Sequence, residues 1–142
     1  MASITAELNQ SRLRGGQRLP RRLVECALAA CAKALKTKKP VELSVAFVSE
    51  PDMRRLNKRW RGKDKVTDVL SFEGVGEILL NYEQARRQAK EMKHSVRDEL
   101  VFLLVHGVLH VYGFDHVEPK DAAKMFPLQT KILSELGVNP RI

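Results

Sequence analysis

Apolar and polar residues alternate along several stretches of the chain, and this period of two predicts strands. The alternation is clearest over residues 41–48, where every second side chain is apolar. Residues 68–72 and 76–80 are short apolar runs joined by a turn at residues 73–75, and so short a link favours antiparallel neighbours. A weaker alternation over residues 4–8 predicts an edge strand.

A second pattern, with apolar residues three and four positions apart, predicts helices. The predicted helices cover residues 21–35, 51–59, 82–93, 95–113 and 119–136. Ser49, Asn81 and Ser95 come at the start of three of them, where a side-chain oxygen can accept a hydrogen bond from the first turn.

Two of these helices carry more detailed expectations. Met53, Leu56 and Trp60 follow helical spacing, so all three are expected to face inward. Pro127 lies inside the last predicted helix, and because proline lacks a backbone N–H we expect a kink or a break near Phe126.

The composition is that of a soluble globular protein. Of the 142 residues, 44% are hydrophobic and 30% are charged, which excludes the disordered class. No apolar run reaches the roughly 18 residues of a membrane span, and residues 1–10 lack the basic leader and apolar core of a signal peptide. We expect residues 1–142 to form a single cytoplasmic α/β (α+β) domain, one mixed sheet of about four strands packed by about five helices.

Cys26 and Cys31 lie five positions apart on one predicted helix, on different sides of it. This separation disfavours a disulfide. We therefore expect both to be reduced, buried thiols with a structural role.

Three of the four histidines fall within eleven residues near the end of an apolar helix. His106 and His110 are four apart, so their imidazoles project from the same face of the helix. Gly113 can end the helix with a positive φ and bring His116 back toward the other two. Three imidazoles with an open fourth position are the ligand set of a catalytic zinc ion, so we predict one Zn²⁺ held by His106, His110 and His116.

The residue after the first histidine separates two kinds of zinc enzyme. In an HExxH protease this position holds the glutamate that acts as general base, and here it is Gly107. The helix therefore has the ligands of a zinc hydrolase without the base of peptide hydrolysis. A metalloprotease that takes its base from elsewhere remains an alternative.

The formal charge of +8 suggests a polyanionic partner. The distribution of the basic residues along the chain is more informative than the net charge. The most basic segment covers residues 54–65, where cations surround Trp60 and a glycine turn and lead into the next strand. A solvated helix face is the simpler reading of such a run. The aromatic residue and the turn favour contact with a phosphate backbone instead.

Several short motifs together resemble the YbeY family of zinc-dependent endoribonucleases, which act in ribosomal RNA maturation in bacteria and organelles. The matching motifs span residues 40–138 and read LN at 56–57, WRGKD at 60–64, TDVLSF at 67–72, GEI at 76–78, HGxxHxxGFDH at 106–116 and MFxLQ at 125–129. The chain departs from the family pattern at Val66, where proline is usual, at Glu77, where aspartate is usual, and in the short link between the last two strands.

The resemblance implies an endoribonuclease specific for single-stranded RNA that processes the 3′ end of small-subunit ribosomal RNA and acts in ribosome quality control. It places the metal at the same three histidines and a functionally required arginine at Arg61. A guanidinium can bind two phosphate oxygens and stabilise the charge of the transition state. Arg59, Lys63 and Lys65 would bind the RNA backbone. The expected partners are the ribosomal small subunit or assembly factors, with neither membrane nor DNA.

One further alternative belongs to a different class, a ribosome-assembly factor without enzymatic activity whose zinc is structural. Structural zinc sites are usually closed by four protein ligands. A fourth protein ligand beside the three histidines would favour this alternative.

Overall fold

Four strands form one sheet in the computed structural model, which describes residues 3–72 and 74–140. They are β1 (Ile4–Asn9), β2 (Val41–Phe47), β3 (Val69–Phe72) and β4 (Glu77–Leu80). The order across the sheet is β1-β2-β4-β3, with β1 and β4 parallel to β2. β3 pairs antiparallel with β4 and forms one edge of the sheet. Glu73, in the predicted turn between them, lies outside the described residues.

The described residues contain five α-helices, some packed on the sheet and others packed on those helices. They are α1 (Arg21–Leu35), α2 (Glu50–Arg61), α3 (Tyr82–Met92), α4 (Val96–Val111) and α5 (Pro119–Glu135), preceded by a 3-10 turn at Gly15–Gln17. The side chains of Ser49, Asn81 and Ser95 accept hydrogen bonds from backbone N–H groups at the starts of α2, α3 and α4. The predicted fold, one small domain with a mixed four-stranded sheet and five helices, is confirmed.

Alternate residues of β4 enter two different cores, because successive side chains on a strand point to opposite faces. Ile78 and Leu80 belong to the main core, which the sheet shares with α1, α4 and α5. Leu79 belongs to a smaller cluster with Met53 of α2 and Leu70 of β3. α2 therefore covers the face of the sheet opposite α4.

The centre of α4 is buried and lies very close to the sheet. A Cβ atom added at Gly107 would lie 3.0 Å from Cγ2 of Ile78. Glycine at this position allows the helix to approach β4 closely.

Trp60 does not face inward as its spacing predicts, and its side chain is 55% exposed. The small core below α2 is formed by Met53, Leu70 and Leu79, and it does not extend to the last turn of the helix. Trp60 instead contacts the edge of the sheet, where its ring meets that of Phe72 at a centroid distance of 6.3 Å.

α5 continues through Pro127, so the chain does not break near Phe126. Proline at this position removes the hydrogen bond to the carbonyl of Ala123. Both residues are exposed, so water can bind that carbonyl.

The two cysteines are free and lie on different sides of α1. Cys31 is buried as predicted, and burial raises the pKa of its thiol to about 12. The expectation that Cys26 is buried is wrong, because it lies on the solvent face of the helix. Among the helices that the structure describes, none combines the length and apolarity that a membrane crossing requires.

Candidate metal centre

The three histidines of the predicted metal site lie together at the C-terminal end of α4. His106 and His110 project from consecutive turns, and their Nε2 atoms are 3.0 Å apart. Gly113 then takes a φ of 90°, and the N–H of Phe114 donates to the carbonyl of Leu109. The chain turns back, so that one ligating atom from each imidazole, including that of His116, lies within 4.8 Å of the others. We call these three residues the histidine cluster.

Neighbouring side chains fix the orientation of two imidazoles. Gln129 of α5 is buried, and its Oε1 lies 2.7 Å from Nδ1 of His106. An amide oxygen only accepts, so Nδ1 carries the proton, and the unprotonated Nε2 directs its lone pair toward the cluster. Phe102 stacks on the ring of His106, and Phe126 stacks on the ring of His116.

The donor set of the histidine cluster fits a zinc ion. Two nitrogens at roughly 2.0–2.1 Å from one tetrahedral zinc ion lie about 3.3–3.4 Å apart. The two Nε2 atoms, 3.0 Å apart, are close to that separation. Burial, and then repulsion from His106 and His116, lowers the pKa of His110 to about 4. Its imidazole is therefore neutral at pH 7, which is the state that binds a metal.

Asp115 lies beside the histidine cluster but serves the turn. Its Oδ1 accepts a hydrogen bond from the backbone N–H of His116 at 2.7 Å. This bond, opposed in part by desolvation, holds the pKa of the carboxyl below its usual range. Within the described residues, no carboxylate or thiolate joins the three imidazoles as a fourth ligand.

The histidine cluster opens into a cleft of about 920 Å³. One wall is the loop that follows α4, and the opposite wall is formed by the end of α2, the loop after it and the edge strand β3. Arg61, Lys63 and Lys65 line this second wall, so three of the predicted cations share one cavity with the histidines. Arg59 is not among its lining residues.

The guanidinium of Arg61 lies along the outer edge of β3. Its Nη2 donates to the carbonyl of Ser71 at 2.6 Å, and its Cζ lies 5.3 Å from the ring centroid of Phe72. Arg61 is exposed, so the remaining guanidinium N–H groups can reach a ligand in the cleft.

A buried asparagine fixes the basic loop after α2, and sequence reasoning assigned it no role. The side chain of Asn57 donates to the carbonyl of Lys65 at 2.9 Å, and the backbone carbonyl of Asn57 accepts from the N–H of Lys63. Gly62 ends α2 with a φ of 71°. These bonds hold the two lysines at the cleft rather than along the helix.

Gly107 explains why the glutamate of an HExxH protease is absent. The Cα of this residue faces Ile78, at a distance that leaves no room for a Cβ without a shift of the isoleucine. A glutamate side chain here would point into the main core and not into the cleft. The position that carries the base in such proteases is therefore used for packing.

A second polar group lies at the other end of α4, and no spacing pattern in the sequence predicts it. Glu99 is fully buried, with Oε1 2.7 Å from Nε2 of His94 and Oε2 2.9 Å from Nε2 of Gln88. The same Gln88 nitrogen lies 2.8 Å from Oδ2 of Asp68, which lines the cleft. We call Asp68, Gln88, His94 and Glu99 the Glu99 network.

Comparison with known proteins gives consistent matches along most of the chain. A family model described as endoribonuclease YbeY matches residues 6–137. Endoribonuclease YbeY of Limosilactobacillus fermentum is 38% identical over 83% of this chain and 88% of the relative, and that of Bacillus pumilus is 40% identical over 82% and 85%. The solution structure of TM1509 from Thermotoga maritima superposes with a TM-score of 0.65 at 30% identity, covering 94% of this chain and 88% of the other.

Proposed function

The chain belongs to the endoribonuclease YbeY family, and from that premise we propose that its histidine cluster holds one zinc ion for the hydrolysis of single-stranded RNA. As a member of this family the protein is a metal-dependent endoribonuclease that acts in ribosomal RNA maturation. The proposal extends to the 3′ end of small-subunit ribosomal RNA, to ribosome quality control, to contacts with the small subunit or its assembly factors, and to a cytoplasmic location.

A single observation carries the metal assignment. Three imidazole nitrogens lie within 4.8 Å of one another at the wall of a cleft, and no fourth protein ligand of the described residues closes the set. An open position is what distinguishes a catalytic zinc site from a structural one. When bound, zinc supplies Lewis acidity that activates water and polarises a phosphoryl oxygen.

The residues around this position have separate tasks. Gln129 keeps the proton of His106 on Nδ1, so that Nε2 faces the metal. Arg61 binds phosphoryl oxygens and stabilises the negative charge that develops on them. Lys63 and Lys65 attract the phosphate backbone along the same wall. Arg59 acts at the outer rim.

Two other functions are less well supported. A metalloprotease would need a general base, and the usual position for it is occupied by Gly107, packed on Ile78. An assembly factor with a structural zinc would need a fourth ligand, and Asp115, the nearest carboxylate in sequence, is bound to the backbone of its own turn. Both observations favour hydrolysis of RNA.

The test of this proposal is cleavage of a labelled single-stranded RNA by the protein and its Arg61→Ala and Arg61→Lys variants. We expect Arg61→Ala to lower the cleavage rate by about 100-fold or more, as the loss of a group that stabilises transition-state charge does elsewhere. Arg61→Lys should recover only part of the rate, since lysine keeps the charge but loses the planar fork. Bound zinc, measured in the same samples, should not change.

A control separates the enzyme from a contaminating ribonuclease. The His110→Ala variant lacks a predicted metal ligand, so a cleavage rate that stays unchanged in its preparation comes from another protein. Equal cleavage by the protein and both Arg61 variants would remove Arg61 from the mechanism. Binding of zinc without cleavage by any form would favour the assembly-factor function, and cleavage of casein would favour a protease.

A further inference from the structure

The single tryptophan of the chain lies at the rim of the cleft with most of its ring in solvent. Trp60 is 55% exposed, in the last turn of α2 next to Arg61. Among the described residues, the other exposed large hydrophobic side chains are Val75, Met92 and Val117, none of them aromatic. Burying an indole usually contributes to a core, so its position on the surface needs an explanation.

Trp60 is continuous with the cleft through one aromatic contact. Its ring meets Phe72 edge to face, with 6.3 Å between the centroids and 79° between the planes. Phe72 lines the cleft and lies under the guanidinium of Arg61. An extended strand bound at Arg61 would therefore pass next from Phe72 to Trp60.

The face of the indole already accepts a planar group. The guanidinium carbon of Arg59 lies 5.2 Å from the ring centroid of Trp60. Arg59 is exposed, and a cation–π contact in water is weak, so a ligand can displace it. A displaced Arg59 would stay close enough to neutralise a neighbouring phosphate.

We propose that Trp60, with Phe72 beside it, is a stacking platform for one nucleobase of the RNA strand, next to the phosphate held by Arg61. Single-stranded nucleic acid is commonly bound by aromatic rings inside a basic groove, because every base offers a π-face. Base pairing hides those faces, so the platform selects unpaired RNA. The inference rests on the proposed function and adds the group that recognises the unpaired base.

The experiment follows the fluorescence of Trp60 during binding. Because the chain contains one tryptophan, selective excitation of indole reports this position alone. The zinc-loaded protein is mixed by stopped flow with an oligoadenylate RNA, and emission is read within milliseconds, before cleavage. We expect saturable quenching by this strand. The same strand paired with its complement, and an abasic ribose-phosphate strand of equal length, should bind through their charge without quenching.

A set of variants at position 60 distinguishes stacking on an aromatic ring from contact with an apolar side chain of any kind. Trp60→Leu keeps an apolar side chain without a π-face, and we expect it to weaken binding of the oligoadenylate by about tenfold, within the range for losing one stacked base. Trp60→Tyr should recover most of that affinity. The KM for cleavage should follow the same order. Met92→Ala, an exposed hydrophobic residue on α3, should bind RNA as the original protein does.

Two results would overturn the platform. One is quenching of equal size by the duplex or the abasic strand, which would reflect charge and not stacking. The other is equal RNA affinity of the original protein, Trp60→Leu and Trp60→Tyr. Either result, together with normal RNA cleavage, would leave the endoribonuclease function intact. Absence of cleavage by the original protein would instead count against the proposed function itself.

Discussion

A histidine in contact with a polar partner lies at each end of α4, but among the described residues only the histidines at its C-terminal end form a group that could hold a metal ion. In the Glu99 network, His94 is directed at a carboxylate that is itself fully buried, and each carboxylate oxygen already has a partner. In the histidine cluster, Nδ1 of His106 is bound to Gln129, and its Nε2 faces the other imidazoles.

The difference shows what distinguishes a metal site from a structural polar group. Both regions are partly buried and both contain imidazole, so neither burial nor residue type separates them. What distinguishes the two regions is the direction in which the imidazole nitrogens point. In the histidine cluster the imidazole nitrogens converge on one point at the wall of a cleft. In the Glu99 network the donors converge on acceptors of the protein itself.

The sharpest way to test this comparison is to remove one imidazole from each region. His110→Ala leaves two ligands, fewer than the three protein ligands of a catalytic zinc site. We expect it to lose bound zinc and more than about 100-fold in RNA cleavage, a larger effect than losing a partner of a ligand. His94→Ala should keep its zinc. The measurements are zinc content after gel filtration and the cleavage rate, and loss of zinc from both variants would break the comparison.

Removal of the buried carboxylate of Glu99 should lower the stability of the fold and leave the bound zinc unchanged. Glu99→Ala leaves the donors of His94 and Gln88 without this acceptor, and each buried unsatisfied group costs about 1–3 kcal/mol. We expect the free energy of unfolding to fall by about 3 kcal/mol, measured in urea, while zinc content stays the same. Glu99→Gln keeps one acceptor oxygen and should lose less. Similar stability of Glu99→Ala and the original protein would mean that the Glu99 network contributes little to the fold.

A smaller effect is expected at the hydrogen bond between Gln129 and His106, where a contact between two protein side chains orients a predicted metal ligand. Gln129→Leu has a similar volume but no acceptor for the Nδ1 proton, and we expect zinc affinity to fall by about 10- to 100-fold. Gln129→Glu retains an acceptor and serves as the matched control. The affinity is measured by competition with a chromophoric chelator. If the leucine variant binds zinc as tightly as the glutamate variant, the hydrogen bond does not orient the ligand.

The smallest expected effect comes from the segment of α4 between the two regions. Gly107→Ala places a methyl group 3.0 Å from Ile78, and overpacking of this kind costs about 1–3 kcal/mol. Alanine also favours the helix by about 0.5–1 kcal/mol. We expect a net destabilisation of about 1 kcal/mol by thermal unfolding. Gly16→Ala, which meets no atom within 4 Å, is the control. An unchanged or raised melting temperature would show that Ile78 moves aside at no cost.

The sequence predicted those parts of the site that depend on local spacing. His106, His110 and His116 are close along the chain, so helix geometry and one glycine turn bring them together. Gln129 comes from α5 and Asn57 from α2, and their roles depend on how those elements pack. No periodicity within either segment reports that packing.

The fold was predictable for the same reason, and the predictions that failed did so for physical reasons. Caps and short turns are local signals, so the strands, helices and antiparallel pairing of β3 and β4 are confirmed. The prediction that Trp60 faces inward was wrong because helical spacing shows which face of a helix a residue occupies, but not how far the core beneath that face extends. The burial of Glu99 was missed because its partners come from α3 and from the segment before α4.

The place of β3 at the edge of the sheet has one more consequence, for self-association. An edge strand presents unpaired backbone groups to which a strand of another molecule can add, and this is a common origin of aggregation. β3 is only four residues long, and the carbonyl of Ser71 is covered by Arg61. Basic side chains at the mouth of the cleft repel a second copy of this positively charged protein. The cations proposed to attract RNA therefore also disfavour pairing of β3 with a strand of another molecule of the same chain.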